Sequence, residues 1–286
     1  MEKNMQKACV IGWPIGHSRS PLIHNHWIAE HGLNARYDKR PVRPEELEDF
    51  LLGLAGMGLR GCNVTIPHKQ RALQIVAQTN PSGLSPMAAR LQAANTIWLE
   101  NGKLCAGNTD VYGFMENFRQ SCPHWRARDQ KVTIIGAGGA ARAIVAGFAD
   151  AGVKRITLAN RTVRKAEQIA AQMDGPIHPQ GLESLPMVLP ETDVLVNATS
   201  LGMTGQPPLD VDMTALPAHA IVADIVYAPL RTQLLRQAEK RGLNVVEGLG
   251  MLLHQAVPGF EKWFGIRPSV TPQLRHLVEE DIRQSC

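Results

Sequence analysis

The sequence predicts an α/β protein of two domains, the second of which is a Rossmann-type doubly wound parallel sheet. The chain has 286 residues, about twice the length of an average domain. Short apolar segments typical of strands alternate with segments typical of helices, which favours mostly parallel sheets. A glycine-rich turn follows a buried-type strand at Gly136, and such turns open dinucleotide-binding folds. An N-terminal α/β domain therefore precedes a nucleotide-binding one.

Composition narrows the class of protein. Hydrophobic residues make up 44% and charged residues 20%, as in ordinary globular chains, which excludes a disordered or collagen-like protein. The net charge of +4 comes without a dense basic block, so nucleic acid is not an expected partner. The five cysteines form no Cys-x-x-Cys pair, and the N-terminal segment lacks the apolar core of a signal peptide. We expect a cytoplasmic protein with no membrane partner.

The first domain is predicted to cover residues 1–120. Ser20-Pro21 suits a helix start, because proline is favoured in the first turn, and Asn101-Gly102 between two apolar runs is a strong hairpin signal. The predicted strands are Ala8 to Gly12, Gly61 to Ile66, Ala93 to Leu99 and Lys103 to Ala106, and the predicted helices are Ser20 to Gly32, Pro44 to Leu54, Pro67 to Gln78 and one carrying Tyr112 to Phe118.

A polar stretch, Ser121 to Gln130, predicts a boundary, after which residues 121–249 form the nucleotide-binding domain. Near the end of the chain, Thr271-Pro272 opens a further helix in cap and first-turn positions. The predicted strands of the second domain are Lys131 to Ile135, Arg155 to Ala159, Asp193 to Ala198, Ala220 to Ile225 and Leu243 to Glu247, and the predicted helices of the chain from here on are Arg142 to Ala151, Thr162 to Met173, Met251 to Phe264 and Pro272 to Gln284.

The turn Gly136-Ala137-Gly138-Gly139-Ala140-Ala141 lies between a strand and a helix, where backbone N–H groups can bind a pyrophosphate. A plain strand-to-helix connection is the alternative. The next strand is followed by Asn160-Arg161-Thr162 and not by the acidic residue of an NAD site, and the guanidinium of Arg161 suits a 2′-phosphate. A solvated surface arginine remains the other reading. Together, the two motifs predict NADP.

Polar groups in the first domain suggest a second ligand. Ser18 and Ser20 stand at a helix start that would stabilise a carboxylate, although Ser20 could equally cap its own helix. Lys69 falls in a first helical turn, where a cation is disfavoured, and such a broken rule is typical of functional sites, although many first-turn lysines simply point to water. Asp110 begins a later helix as a first-turn anion or a cap. The scattered histidines form no ligand pair, so no metal is predicted.

At this point the chain resembles one family, shikimate dehydrogenase. The ordered segments that carry the resemblance are G-W-P-I-G-H-S-R-S-P-L-I-H-N (12–25), N-V-T-I-P-H-K (63–69), A-N-T (94–96), G-N-T-D-V-Y-G-F (107–114), G-A-G-G-A-A-R-A (136–143), N-R-T (160–162), N-A-T-S-L-G-M (197–203), D-I-V-Y-A-P (224–229) and G-L-G-M-L-L-H-Q-A (248–256). Each segment is modestly specific, whereas the ordered set is highly specific.

The resemblance implies reversible NADPH-dependent reduction of 3-dehydroshikimate to shikimate. It also implies that residues 250–286 return to the first domain, with the active site in a cleft between the domains. It implies Lys69 and Asp110 as the catalytic pair. The substrate-binding residues it implies are Ser18, Ser20, Thr65, Lys69, Asn95, Asp110, Tyr227 and Gln255. The cofactor-binding residues it implies are Gly136, Ala137, Gly138, Gly139, Ala140, Asn160, Arg161, Thr162, Lys165, Ile225 and Gly248.

The chain departs from the family pattern at Gln92, where glycine is usual, and at Pro86, in a region that is usually more acidic. Two other functions stay open at this stage. One is a quinate/shikimate dehydrogenase with relaxed substrate or cofactor choice, and the other is a non-catalytic NADP-binding regulator. A homodimer is compatible with either reading.

Overall fold

The structure is a computed structural model that describes residues 5–285 and divides them into two compact units. Unit 1 runs to Thr109 and takes in Gln255–Val278. Unit 2 contains Asp110–His254 and the residues from Glu279 onward.

Unit 1 is built on a five-stranded mixed sheet flanked by helices. Its elements are β1 (Gln6–Gly12), α1 (Ser20–Glu30), β2 (Ala35–Pro41), α2 (Leu47–Leu52), β3 (Leu59–Val64), α3 (Lys69–Thr79), α4 (Pro86–Leu91), β4 (Thr96–Glu100) and β5 (Lys103–Gly107). The strand order is β2-β1-β3-β4-β5. Strand β1 pairs in parallel with β2 and β3, while β4 is antiparallel to both β3 and β5. The predicted hairpin is therefore confirmed.

Unit 2 is a six-stranded parallel sheet with helices between its strands. Its elements are α5 (Asp110–Ser121), β6 (Lys131–Ile135), α6 (Gly139–Ala151), β7 (Arg155–Ala159), α7 (Val163–Gln172), β8 (Ile177–Gln180), α8 (Leu185–Val188), β9 (Val194–Asn197), β10 (Ile221–Asp224), α9 (Gln233–Lys240) and β11 (Asn244–Val246). The order β11-β10-β9-β6-β7-β8 is that of a doubly wound dinucleotide-binding sheet, with β6 as its first strand. The predicted fold class of this unit is confirmed.

The last two helices belong partly to each unit. Helix α10 (Gly248–Phe264) groups with unit 1 from Gln255 onward, and α11 (Pro272–Ser285) groups with unit 1 as far as Val278. Within unit 1, the indole Nε1 of Trp263 donates to the carbonyl oxygen of Ile97 at 2.9 Å, which fixes α10 to the sheet. Thr271 Oγ1 accepts from the backbone N–H of Leu274 at 3.2 Å, which confirms the predicted cap of α11.

Apolar side chains fill a separate core in each unit. In unit 1, Ile11 and Val64, which pair in register and lie on the same face of the sheet, are buried with Leu73 and Val76 of α3. In unit 2, Phe118 of α5 packs edge to face on Phe148 of α6, with ring centroids 5.4 Å apart. Helix α5 therefore groups with unit 2, although the predicted boundary follows it.

Two strands are absent from the sequence-based prediction, namely β2 and β8. Both lie at the edge of a sheet, where one row of backbone groups faces outward and where charged residues and proline are tolerated. Within residues 5–285, no helix is both long and apolar enough to cross a membrane.

Candidate active site

The predicted substrate residues of unit 1 lie at one edge of its sheet. Strands β1, β3 and β5 run in the same direction, so the loops after Gly12, Val64 and Gly107 leave the sheet at the same side. Because β4 runs the opposite way, its first residue, Thr96, lies at that edge as well. Side chains from four separate segments of the sequence are thereby collected in one place.

The two serines stand at the start of α1. Ser18 is half-buried and Ser20 is buried, and the Oγ of Ser18 donates to the Oγ of Ser20 at 3.3 Å. The N-cap of α1 is Arg19, and no side chain caps the helix. The alternative that Ser20 caps its own helix is therefore wrong. Two adjacent hydroxyls at a helix N-terminus form a suitable site for a carboxylate.

Lys69 is the first residue of α3, which confirms that it falls in a first helical turn, although the helix begins two residues later than the predicted start at Pro67. Its side chain is half-buried. Its carbonyl oxygen accepts from the backbone N–H of Ala94 at 2.9 Å, which joins the start of α3 to the segment that leads into β4. The preceding loop is fixed as well, since the backbone N–H of Thr65 donates to the carbonyl oxygen of Ile11 at 3.0 Å. Thr65 and Lys69 both follow β3, and these hydrogen bonds fix the positions of their backbones.

Asn95 is buried at the centre of a hydrogen-bond network. Its Oδ1 accepts from the backbone N–H of Thr109 at 2.9 Å and from Thr96 Oγ1 at 2.9 Å, while its Nδ2 donates to Thr109 Oγ1 at 3.0 Å. Thr109 Oγ1 in turn donates to the main-chain oxygen of Gln255 at 2.8 Å. The network ties two predicted substrate residues, Asn95 and Gln255, to Thr109, for which the sequence predicts no role.

Asp110 follows Thr109 directly and begins α5. Its side chain is buried, with 6% of its surface exposed. A carboxylate at this position stabilises the helix dipole, as expected for a first-turn anion. Asp110 and Tyr227 are counted with unit 2, and Lys69 with unit 1.

In unit 2, the predicted dinucleotide turn joins β6 to α6. Gly136 has φ +111°, and a Cβ there would lie 2.7 Å from Thr199 Cγ2, so only glycine fits. At Gly138, the N-cap of α6, and at Gly139 a Cβ would meet no protein atom within 4 Å. Packing therefore does not require these two glycines, whereas close approach of a ligand to the backbone would. Ala137 and Ala140 of the same turn are half-buried.

The end of β7 carries the groups predicted to select the cofactor. Asn160 Nδ2 donates to the carbonyl oxygen of Thr162 at 2.9 Å, which shapes the turn into α7. Arg161, Thr162 and Lys165 are exposed. In the part of the chain that the structure describes, no carboxylate forms an ion pair with Arg161 or Lys165. The turn therefore suits a phosphate, in agreement with the prediction of NADP.

A buried carboxylate, Asp224, organises the neighbouring strand ends. Asn197 Nδ2 and the backbone N–H of Val226 donate to its Oδ1 at 3.0 and 2.9 Å, and Thr232 Oγ1 donates to its Oδ2 at 2.7 Å. Asn197 Oδ1 also accepts from Thr199 Oγ1 at 2.7 Å. Burial raises the pKa of Asp224 to about 6, and the donated hydrogen bonds oppose this shift. The motifs around these residues resemble the family, but their roles were missed.

The network of Asp224 holds the loop that carries two predicted residues, Ile225 and Tyr227. The backbone N–H of Ile225 donates to the carbonyl oxygen of Asn197 at 3.2 Å. A Cβ on Gly248 would collide with the carbonyl oxygen of Ile225, so the structure brings these two predicted cofactor residues together. Tyr227 lies two residues further along and is half-buried.

The described residues contain no group of three or more His, Cys, Asp or Glu side chains arranged to hold a metal ion. The polar groups at the carboxyl ends of the two sheets are side-chain hydroxyls and amides, Lys69, Asp110 and the exposed cations after β7.

Profiles of a single family match three stretches of the chain. Residues 10–97 match the shikimate dehydrogenase substrate binding domain, residues 119–204 match shikimate / quinate 5-dehydrogenase, and residues 248–272 match the shikimate 5′-dehydrogenase C-terminal domain. These three stretches contain most of the predicted substrate-binding and cofactor-binding residues.

Known proteins are similar over almost the whole chain. A shikimate dehydrogenase (NADP⁺) from Methylocella silvestris is 50% identical, over 98% of this chain and 98% of its own length. A shikimate 5-dehydrogenase from Thermus thermophilus, solved in complex with NADP(H) and shikimate, is 30% identical with a TM-score of 0.83, over 99% and 100% of the two chains. A quinate dehydrogenase from Corynebacterium glutamicum in complex with NAD is 26% identical with a TM-score of 0.88, over 96% and 99%.

Proposed function

Because the chain belongs to the shikimate dehydrogenase family, we propose that it catalyses the reversible, NADPH-dependent reduction of 3-dehydroshikimate to shikimate in chorismate and aromatic amino acid biosynthesis. The observation that carries this proposal is the full-length similarity to NADP⁺-dependent shikimate dehydrogenases, combined with a phosphate-compatible turn after β7. Intact Lys69 and Asp110 disfavour a non-catalytic regulator.

The residues of unit 2 fit NADP. The open backbone at Gly138 and Gly139 accommodates the pyrophosphate at the start of α6, together with Gly136, Ala137 and Ala140. The 2′-phosphate is bound by the group that follows β7, namely Asn160, Arg161, Thr162 and Lys165. Ile225 and Gly248 contact the nicotinamide end. When bound, the cofactor supplies the hydride for the C3 carbonyl.

The residues of unit 1 bind and orient the substrate. Ser18 and Ser20 bind its carboxylate through their adjacent hydroxyls. The ring hydroxyls and the carboxylate are further contacted by Thr65, Asn95, Asp110, Tyr227 and Gln255. The network around Thr109 fixes Asn95 before substrate arrives, which reduces the entropic cost of alignment.

The proton is handled by Lys69. In the direction of reduction, the ammonium of Lys69 donates a proton to the oxygen that becomes the C3 hydroxyl, and in oxidation the neutral amine accepts it. Asp110 orients Lys69 and accepts a hydrogen bond from a neighbouring substrate hydroxyl. The proposal requires the two side chains to meet at the substrate during turnover, in a cleft between the domains.

Replacement of Lys69 tests this assignment. Lys69→Ala should lower kcat on the order of 100-fold or more with a smaller change in KM, because the proton donor is lost while most binding groups remain. Steady-state absorbance assays of NADP⁺ reduction with shikimate measure both constants. Lys103→Ala, an exposed lysine of the same unit, is the matched control and should leave both constants unchanged. A near-normal kcat in Lys69→Ala would remove Lys69 from the mechanism.

Relaxed specificity is the second candidate, and the structural likeness to a quinate dehydrogenase is the observation that favours it. The 50% identical relative is an NADP⁺-dependent shikimate dehydrogenase, and Arg161 without an acidic neighbour disfavours NAD. Comparison of kcat/KM for shikimate and quinate, each with NADP⁺ and NAD⁺, distinguishes the candidates. We expect kcat/KM for shikimate with NADP⁺ to exceed kcat/KM for the other three pairs. A comparable kcat/KM with quinate or with NAD⁺ contradicts the proposal.

The proposal includes a cytoplasmic location and a homodimer. None of the described cysteines, Cys9, Cys62, Cys105 and Cys122, forms a disulfide, as expected in a reducing compartment. The molar mass from light scattering tests the assembly, and the mass of a single chain at working concentration contradicts a homodimer.

A further inference from the structure

We propose that unit 2 carries a second binding site, which takes the oxyanion group, a carboxylate or a phosphate, of a small metabolite. The site is a cavity of about 260 Å³ on one face of the sheet, between strands β6 and β7 and the segment around α8. Arg155 and Thr157 of β7 and Gln180 of β8 supply its hydrogen-bond donors.

The sheet face that lines the cavity is polar where an apolar face is expected. Lys131 pairs in register with Arg155, and Thr133 pairs with Thr157, so four polar side chains form a block on adjacent strands. Both strands are internal, and internal strands of parallel sheets are normally apolar on both faces. Thr133 and Thr157 are nevertheless only 2% and 3% exposed. Local rules are broken in this way mainly at functional sites.

The cations at the cavity are not equally neutralised. Lys131 Nζ forms an ion pair with Glu191 at 2.8 Å. No carboxylate among residues 5–285 forms an ion pair with Arg155, and its buried Nε has no hydrogen-bond partner. Leaving a buried charged donor unpaired is costly, so an acceptor from outside the chain would be stabilising. The pKa of Glu191 is lowered, first by its hydrogen bond and ion pair with Lys131 and to a lesser degree by the charges of Arg155 and Lys154.

The remaining hydroxyls identify which donors are available. Thr192 Oγ1 donates to the carbonyl oxygen of Val188 at 2.8 Å and therefore accepts from Thr133 Oγ1 at 2.7 Å. The hydroxyl proton of Thr133 is thus used within the protein and is not available to a ligand. Arg155, Thr157 and the Gln180 amide are left to bind a ligand, and a planar guanidinium beside a hydroxyl and an amide suits a carboxylate or a phosphate.

The cationic end of the cavity, at Lys131 and Arg155, lies away from the dinucleotide turn. Its other end reaches the ends of the strands, where the carbonyl oxygen of Gln180 accepts from the backbone N–H of Asn160 at 3.1 Å. Lys131 and Arg155 begin β6 and β7, whereas Gly136 and Asn160 follow the ends of the same strands. Five residues of strand span about 16 Å. A volume of about 260 Å³ lies below the range of drug-sized pockets, so the ligand is a small metabolite.

The test uses the full ¹⁵N-labelled chain saturated with NADP⁺, so that the phosphate-binding turn after β7 is filled. Amide shifts are followed while sodium phosphate or, in a second arm, sodium acetate is added, with sodium chloride at matched ionic strength as the reference. We expect saturable shifts at Thr133 and Thr157. Arg155→Gln and Thr157→Val should raise the Kd tenfold or more, about 1.4 kcal/mol. Arg128→Gln removes an exposed arginine of the same unit and should leave the Kd unchanged.

The two arms distinguish the sources of the oxyanion, since saturation by phosphate alone assigns a phosphorylated ligand and saturation by acetate alone assigns a carboxylic acid. Arg155→Lys keeps the charge but loses the planar fork, so an intermediate Kd supports the assignment even if the glutamine variant folds poorly. Shifts no larger than those caused by chloride, or an unchanged Kd in both Arg155→Lys and Thr157→Val, would overturn it.

Discussion

At the scale of single residues, Gln92 combines a strained backbone conformation with a side-chain hydrogen bond that partly offsets the strain. It ends α4 in the left-handed conformation, with φ 53° and ψ 35°. A side chain with a Cβ is strained there, which accounts for the glycine that the family resemblance leads us to expect at this position. Gln92 offsets part of that strain, because its Nε2 donates to the carbonyl oxygen of Ala89 at 2.6 Å.

The strain predicts an unusual order of stabilities. Gln92→Gly should be more stable than Gln92→Ala by roughly 1 kcal/mol, because both variants lose the side-chain hydrogen bond and only alanine keeps the left-handed strain. Urea unfolding of both variants, followed by circular dichroism, measures the difference in the free energy of unfolding.

An exposed glutamine in a right-handed helix supplies the control. At Gln74, in the middle of α3, the order should reverse, with alanine more stable than glycine by about 1 kcal/mol. If alanine is the more stable residue at position 92 as well, the left-handed conformation is not the reason for the family's glycine.

Single residues also show what the sequence could predict and what it could not. Ser18, Ser20 and Lys69 were found because their positions relative to a helix start follow from local sequence. Thr109 was missed because its role depends on a hydrogen bond to Gln255, 146 positions away. A contact of that kind leaves no local pattern in the chain.

At the scale of elements, the turn between β6 and α6 separates two uses of glycine. Gly136 is required by the fold, since its φ is +111° and a Cβ would press against Thr199. Gly138 has φ −91°, which any residue adopts, and open space beside it. The sequence motif alone cannot tell these positions apart, whereas the structure predicts opposite consequences for the same substitution.

Alanine at the two positions should therefore act differently. Gly136→Ala should destabilise the protein by roughly 2 kcal/mol or more, through strain and a steric clash. Gly138→Ala should leave the free energy of unfolding unchanged or raise it by up to about 1 kcal/mol, while raising the KM for NADP⁺ about tenfold or more. Thermal unfolding without cofactor and steady-state kinetics provide the two measurements. An unaltered KM in Gly138→Ala would show that the cofactor does not approach this turn.

The elements that the sequence did not predict share a physical cause. Strands β2 and β8 contain prolines, and β2 also carries four charged residues, so neither shows the apolar pattern of a buried strand. Their positions at sheet edges make such residues acceptable. Internal strands such as β6 and β9 were found because burial on both faces requires an apolar run.

At the scale of the whole molecule, each unit contains a buried group whose neutral form is favoured and that affects stability between pH 7 and pH 5. In unit 1, His24 is stacked on Tyr37, with ring centroids 4.1 Å apart, and is completely buried. Neither ring nitrogen has a hydrogen-bond partner. Burial lowers the pKa of His24 from 6.5 to about 3, and the side chain of Asn63 opposes this shift only in part. In unit 2, Asp224 has its pKa raised from 3.8 to about 6.

The two shifts act on stability in opposite directions as the pH falls. The unfolded chain takes up a proton at His24 below pH 6.5 while the folded chain does not, so unit 1 loses stability from pH 6.5 downward, by roughly 2 kcal/mol at pH 5. The folded chain takes up a proton at Asp224 below about pH 6 while the unfolded chain does so only near 3.8. As the pH falls from 7 to 5, unit 2 therefore gains roughly 1 kcal/mol of stability. When the pH rises again through 6, this gain is lost.

Acidification from pH 7 to pH 5 should therefore weaken unit 1 and strengthen unit 2 in the same molecule. Hydrogen exchange of slowly exchanging amides, with rates corrected for the intrinsic effect of pH, measures the opening free energy of each unit separately. His24→Phe should abolish the loss in unit 1, because a phenyl ring preserves the stacking and cannot be protonated, and Asp224→Asn should abolish the gain in unit 2. His124→Gln, at an exposed histidine, should leave both trends unchanged. If the opening free energy of unit 1 falls as much at pH 5 in His24→Phe as in the unaltered chain, a group other than His24 causes the loss of stability in acid.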